Sequence, residues 1–276
     1  MLRHLYVGDP DDGLSGADDL LDTRTFGTIR VTGLGRPAAE LYSFACAGID
    51  ASHVSGMSIP SRTITMEVDT QNECQRMRLY RVMPFRKLLR FWIVNDTGIY
   101  WIDGYAKELP YDEIGHDISS FDIPVFCPYP WFRSEKLHEK EIIVGASEFV
   151  HLKQSGDAPA GILVYAQGSV SSLGKITSFR LESGTGDYFT VSVNFASSII
   201  GPGIHRTLLV DTTPNGNLGT SGKFDAEYLA SIDMSDDLIT VEPDTGVDVT
   251  LDVSSVVSDM TVYQFFACWY DTFTAI

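Results

Sequence analysis

Tyr100-Trp101-Ile102-Asp103-Gly104-Tyr105 and Cys127-Pro128-Tyr129-Pro130-Trp131-Phe132 are the two fixed points of the segment Gln71–Phe132, which decides how this chain folds. Upstream of the first, Lys87 to Val94 alternates, with Leu89, Phe91 and Ile93 opposed to Leu88, Arg90 and Trp92. That period of two marks a strand. Asn95-Asp96-Thr97-Gly98 supplies turn residues, and Ile99–Lys107 runs back as the hairpin partner. Ile118–Cys127 is a further strand. Pro128 and Pro130 then impose an extended path, since proline biases its predecessor away from helix. Tyr129, Trp131 and Phe132 are expected to pack on a domain surface, as contacts of an inter-domain linker.

Ahead of the hairpin the period changes. Thr70 with Glu73, or Asn72 with Gln75, offers a capping box for the free N–H groups of a helix start. Met77, Tyr80 and Met83 recur at helical spacing and Pro84 stops the run, which predicts a helix of about three turns. Before it, Arg62-Thr63-Ile64-Thr65-Met66-Glu67-Val68 alternates cleanly, with Ile64, Met66 and Val68 on one face. Phe26–Thr32 and Tyr42–Ala47 are further strand candidates. Residues 1–22, rich in Asp, Gly and Ser, read as an extended acidic arm rather than a core element.

Past Phe132 the chain becomes all-β. Runs at Ile162–Gln167, Lys175–Glu182, Tyr188–Asn194, Thr207–Asp211, Leu238–Val241, Val247–Val253 and Val262–Tyr270 are separated by Gly, Pro, Asn and Asp. Short strands at that spacing predict a β-sandwich or jelly roll, and the last, apolar on both faces, should be central. The boundary falls between Phe132 and Gly145. This gives a first domain over 1–132, a linker over 133–145 and a second domain over 146–276. The expected fold is mainly β, an N-terminal β-sandwich with one helix followed by a second β-sandwich.

At 276 residues there is room for two cores. The 44% hydrophobic content fits a globular chain, and no apolar run is long enough to span a bilayer, so no membrane insertion is expected. The N-terminus is too short in its apolar part for a signal peptide, which points to folding in a cytoplasm. The net charge is −17, with 15 basic and 21 acidic residues in 1–147 and 5 and 16 in 148–276. Sequence-specific nucleic-acid binding is disfavoured because phosphate neutralisation needs clustered cations. An acidic wall instead lets DNA slide past without sticking.

No catalytic constellation emerges. Gly33-Leu34-Gly35-Arg36-Pro37-Ala38 formally matches G-x-G-x-x-A with Asp50 downstream, yet no strand–helix alternation follows, and a glycine loop between strands is the simpler reading. Asp9, Asp11, Asp12 and Gly13 lack the remaining ligands of a calcium loop. His4, His53, His116, His138, His151 and His205 show no ligand spacing, and Cys46, Cys74, Cys127 and Cys268 contain no C-x-x-C pair, so free thiols and no metal site are expected. Asp225 with Glu227, or Asp236 with Asp237, are the acidic pairs a glycosidase reading would require, but the needed separation and unequal pKa values are not legible in sequence. No G-x-S-x-G elbow is present. No enzyme activity and no cofactor are expected. The one basic concentration is Arg76, Arg78, Arg81, Arg86, Lys87 and Arg90. It reads either as a contact face toward acidic neighbours in an assembly or as a solvated helix face with weak ion pairs.

These elements in order resemble the distal tail proteins of long, flexible-tailed bacteriophages. The series is Tyr42–Cys46 leading into Gly48-Ile49-Asp50, the Arg62–Asp69 strand, and the Asn72–Tyr80 helix ending Arg78-Leu79-Tyr80. The hairpin end Tyr100–Tyr105 and the stop Cys127–Phe132 complete it. The resemblance implies a homo-hexameric ring built by the N-terminal sandwich around the DNA channel, with a galectin-like C-terminal sandwich projecting outward. It also implies a virion tail-tip location, assembly in the host cytoplasm, and a tail tube protein and a tail hub or tail-associated lysin as partners. In some members the outer domain holds receptor-binding proteins. The six cations would then be ring or tube contacts. The alternative is a carbohydrate-binding adhesin or receptor-binding module of a phage tail, which would need exposed aromatics in a concave sheet.

Overall fold

The computed structural model describes residues 1–45, 52–109, 111–113, 119–144, 149–169, 176–193, 204–211, 229–234, 239–255 and 264–276. It divides into two units, Met1–Glu135 with Phe273–Ile276, and Lys136–Thr272. Both are antiparallel and mainly β. In chain order the first unit has strands β1 (His4–Gly8) and β2 (Asp18–Asp19), the one-turn helix α1 (Thr23–Phe26), and strands β3 (Thr28–Thr32), β4 (Glu40–Ala45), β5 (Ser52–Ser58) and β6 (Arg62–Thr70). Helix α2 (Glu73–Val82) follows, then β7 (Leu89–Val94), β8 (Ile99–Ala106), β9 (Tyr111–Glu113), β10 (Ser119–Cys127) and the start of β11 (Phe132–Ile142).

Alternation sets which face of each strand is buried. Ile64, Met66 and Val68 on β6 meet Phe121, Ile123 and Val125 on β10. Across the core stand Leu5 and Val7 of β1, Leu89, Phe91 and Ile93 of β7, and Ile102 of β8. Strands β1, β7 and β8 thus form one layer, and β3, β6 and β10 the other. Asn95 makes the β7–β8 turn: its side-chain oxygen accepts from the backbone N–H of Thr97 (2.8 Å) and Gly98 (3.1 Å). The motif glycine Gly104 is fixed by crowding, because a Cβ there would lie 2.7 Å from Val125 Cγ1. The Gly33 loop has φ +86° and would set a Cβ 2.6 Å from the Thr63 carbonyl oxygen. It opens onto strand β4 rather than a helix, so it lacks the N-terminal amides a pyrophosphate needs.

Three sequence expectations change here. The acidic arm is a core element: Leu5 and Val7 lie on a strand paired to β7, and Leu20 is fully buried. Two buried apolar residues ahead of an Asp-rich turn are too short an alternation to mark a strand. On α2 the buried residues are Gln75 and Leu79, with Met83 just beyond, while Met77 is 45% exposed. A glutamine on the inner face hid the true stripe; it is satisfied by donating to the Thr23 and Arg24 carbonyls (both 3.3 Å) and accepting from Gln71 N (2.7 Å). Finally, the run 133–145, expected as a linker, is mostly the strand β11. Its many charged residues conceal an exposed strand.

The second unit holds the rest of β11 and β12 (Val150–Leu152), β13 (Ala160–Gly161), β14 (Leu163–Ser169), β15 (Ile176–Ser183), β16 (Tyr188–Val193), β17 (Ile204–Asp211), β18 (Leu229–Met234), β19 (Thr240–Val241), β20 (Val247–Ser255) and β21 (Gln264–Phe273). One sheet runs β17-β14-β21-β11 and a second runs β12-β20-β15-β16-β18. Between them pack Ile162, Val164, Ala166, Phe265, Ala267 and Trp269 against Phe179, Leu181, Phe189, Val249 and Leu251. As expected from its apolar faces, β21 is internal to its sheet, though Val262 and Tyr263 lie outside the described residues. Buried Gln154 fixes the nearby loop by donating to the Ala158 carbonyl (2.7 Å) while accepting from Thr272 N (3.1 Å).

The last four residues belong to the first unit. Phe273 meets Tyr100 edge-on at 5.2 Å, and Ile276 N donates to the Leu34 carbonyl (3.3 Å). Arg62 joins these pieces. Its side chain is buried, donates to the carbonyls of Gly33 (3.3 Å) and Thr274 (2.5 Å), and lies 4.3 Å over the Phe132 ring. Burial brings its pKa down to about 10, and burial pushes the neighbouring Cys127 thiol up to about 12.

Two outcomes are expected. Leu5→Ala should cost about 2–5 kcal/mol in chemical denaturation, the range for a buried leucine, whereas a solvated arm would give almost nothing. The folded Cys127 thiol keeps its proton to higher pH than its ordinary value of 9.0, so the folded state binds more protons from there up to about 12 and loses stability across that window. Arg62, held below its usual value, opposes this only above about pH 10. The denaturation midpoint of the native sequence should therefore fall more between pH 8.5 and 10 than that of Cys127→Ala, the window following from the same linkage.

Candidate interaction surface

Helix α2 carries half of the basic cluster, Arg76, Arg78 and Arg81, and its capping fixes how it sits. Asn72 is the N-cap, its side chain accepting from Gln75 N at 3.0 Å, so the second of the two possible capping pairs is used. With Gln75 and Leu79 turned inward, Cys74, Met77 and Arg81 face outward.

The structure separates the six cations into two groups. Arg76 pairs with Glu73 one turn back and reaches the Ser119 hydroxyl (3.5 Å). Arg78 bonds Asp18 at 2.9 Å and lies over the Phe26 ring at 5.5 Å. Lys87 meets Asp9 at 2.6 Å. Their hydrogen bond holds the Asp9 carboxyl below and the Lys87 amine above their ordinary ranges. Arg90 grips Asp103 through two nitrogens (2.7 and 2.9 Å), touches the Pro10 carbonyl (3.5 Å) and sits 3.7 Å over the Trp101 ring. The acidic arm therefore supplies counter-charges for Arg78 and Lys87, a role its sequence position alone did not reveal. Arg81 and Arg86 are exposed and have no acidic partner among the described residues.

Around those two the surface is partly apolar. An open groove of about 610 Å³ is lined by Asp18, Glu73, Cys74, Met77, Arg78, Arg81 and Val82. Phe85, just past the helix, is 59% exposed. Arg86 has φ +61°, the left-handed region that an L-residue enters at a cost of about 1–2 kcal/mol.

The aromatic–proline segment is buried in the first unit. Phe132 joins its core, and Tyr129 and Trp131 are buried as well. Arg133 stacks between Trp101 (4.7 Å) and Tyr129 (4.5 Å), while Trp101 Nε1 donates to the Ser134 carbonyl (3.0 Å). Phe132, Tyr129 and Trp101 each lie under a guanidinium and Trp131 is buried, which closes these rings to stacking by a sugar.

The other candidates stay apart. His4 bonds Asp19 (2.8 Å), His151 bonds Asp248 (2.8 Å), and His138 bonds Asp271 (3.1 Å) while stacking on Trp269. Ser155 also turns to Asp271, with its N–H at 2.9 Å, so the carboxylate, not the imidazole, is the shared partner. A nucleophilic triad needs the hydroxyl on the imidazole. Cys74, Cys127 and Cys268 are free thiols, Cys74 alone of the three being exposed. No group of three or more metal-ligating side chains gathers among the described residues, and no helix there is long and apolar enough to cross a membrane. Cys46, Asp50, His116, Asp225, Glu227, Asp236 and Asp237, and the side chains of His53 and His205, lie outside the described residues.

No family model and no curated protein matches this chain in sequence. In structure it is similar to the Dit protein of phage SPP1, presented as a paradigm of the hub adsorption apparatus in phages infecting Gram-positive bacteria. The TM-score is 0.55 at 13% identity, over 98% of this chain and 100% of that one. It is also similar to a chain of the phage p2 baseplate in its activated, strontium-bound conformation, with a TM-score of 0.52 at 11% identity, over 96% of this chain and 97% of that one. The likeness spans both units in each case, and the chain has the fold of a phage hub and baseplate protein.

Proposed function

We propose that this chain is a structural protein of a phage tail tip, a distal tail ring component rather than an enzyme. Its first unit forms a homo-hexameric ring that joins the tail tube to the hub or tail-associated lysin and surrounds the DNA channel. Its second unit is the outer, galectin-like module, available to a receptor-binding protein. The observation that carries this reading is the end-to-end structural likeness to the SPP1 Dit protein. The likeness covers both units.

Charge fits the same reading. At −17 the chain repels a DNA backbone, which suits a wall that duplex DNA must pass without binding. The acidic arm neutralises part of the only basic cluster from within. A ring component also needs exposed contact residues, and α2 with the turn that follows it supplies them in Met77, Arg81, Phe85 and Arg86. The protein would be located in the virion at the tail tip after assembly in the host cytoplasm.

The test is the mass of the purified full chain by light scattering, with negative-stain micrographs of the same sample. Six copies in a closed ring are expected. A stable monomer at tens of micromolar would count against the ring.

A further inference from the structure

We infer that the hairpin β4–β5 of one copy docks into the groove along α2 of the next, so that the first unit has an arm at one end and the socket for that arm at the other. The inference rests on the ring reading above and adds to it which parts of the first unit meet.

The topology sets the two ends. Strands β3 and β6 pair antiparallel, with Thr28 opposite Asp69 and Thr32 opposite Thr65. The hairpin is inserted between them, leaving after Thr32 and rejoining before Arg62, whereas α1 leads into Thr28 and α2 follows Thr70. Arm and groove therefore belong to opposite ends of one strand pair, about 26 Å apart along β6.

Among the described residues β4 and β5 pair only with each other. An isolated two-stranded hairpin is marginal in water, and what it needs is a surface to pack against. Glu40, Leu41 and Tyr42 are consecutive and all exposed, Leu41 at 61% and Tyr42 at 54%. Successive side chains of a strand point to opposite faces, so β4 is bare on both faces there. The loop leading into it is held, because Arg62 bonds the Gly33 carbonyl and Ile276 N bonds the Leu34 carbonyl. An arm rooted in this way is presented ready-placed, which lowers the ordering cost of a contact.

The groove supplies what the arm lacks. Its anions Asp18 and Glu73 are already paired with Arg78 and Arg76, which leaves Arg81 as its cation without an acidic partner among the described residues. Met77 and Cys74 beside it are exposed. The arm has the opposite balance: residues 37–61 contain two acidic residues and no Lys or Arg. Glu40 is exposed and has no ion pair among the described residues. Docked, Leu41 covers Met77 and Glu40 reaches Arg81, so that apolar area leaves water and two unpaired charges meet. Every chain carries both surfaces and covers neither of them itself, and the partner that fits is therefore a second copy. Arm and groove differ, so the contact is heterologous, and a heterologous contact whose rotation closes produces a ring.

The experiment traps the contact in the full chain, in a Cys46→Ser background so that residues 37–61 contain no native thiol. With Leu41→Cys added, oxidation by diamide should join the new thiol to Cys74 of another copy. The expected result is a ladder of linked chains on a non-reducing gel, the matching linked peptide in mass spectrometry, and loss of the ladder when Cys74→Ser is included. Glu40→Arg alone and Arg81→Glu alone should each weaken assembly about tenfold in light scattering, since like charges then face each other, and the two together should restore it. Unchanged thermal melting of the single variants separates a lost contact from a lost fold. If the wild-type chain forms its ring while no bond to Cys74 appears and both charge variants assemble normally, the inference is overturned and the ring stands; the arm then serves a different tail protein. A wild-type chain that remains monomeric overturns the inference and the ring reading together.

Discussion

The chain's exit from the first unit and its return to it are tied together by one buried cation. Arg62 has no carboxylate partner among the described residues; its guanidinium is held by two backbone carbonyls and the face of Phe132. An arginine in such surroundings is costly to bury and strongly destabilising if its hydrogen-bond partners are removed, because the remaining polar groups are then stranded. The carbonyls it holds belong to the Gly33 loop and to Thr274, and the ring belongs to the first residue of β11. One side chain therefore fixes the point where the chain leaves the first unit and the point where it returns.

The same economy appears in the charges. Most of the basic cluster in this acidic protein is neutralised from within the first unit. Here Asp18, paired to β1 through β2, and Asp9, just past β1, occupy Arg78 and Lys87, while Asp103 occupies Arg90 across the hairpin. What remains outward on α2 is a small, mixed face. Specificity in such a face comes from the position of its charges relative to its apolar residues more than from their number.

Much of this was legible in the sequence, for identifiable reasons. Period two at Ile64, Met66 and Val68 and at Leu89, Phe91 and Ile93 survived because those strands bury one full face. Asn95 and Gly98 announced the hairpin, and Asn72 with Gln75 announced the helix start. The failures share a cause: in each, a polar residue sits where pattern reading wants an apolar one, or the reverse. Gln75 replaced a hydrophobe in the helix core, Met77 took a surface position, and the Glu- and Lys-rich β11 looked like a linker. The six cations were visible as a cluster. Which of them were already neutralised was not, because their partners Asp9 and Asp18 lie some sixty or more residues upstream and only folding brings them near.

The split composition of the first unit has a consequence for how the protein is made. Its exit strand and its closing residues Phe273–Ile276 are separated by the whole of the second unit. During synthesis the ribosome delivers β1 to β10 early, yet the carbonyl of Thr274 that Arg62 requires arrives only after Lys136–Thr272 has been translated. Until then the first unit has a buried guanidinium short of one acceptor and an uncovered Tyr100 edge. Vectorial synthesis thus acts as a timer: the first unit becomes complete only on chains whose second unit has already been made.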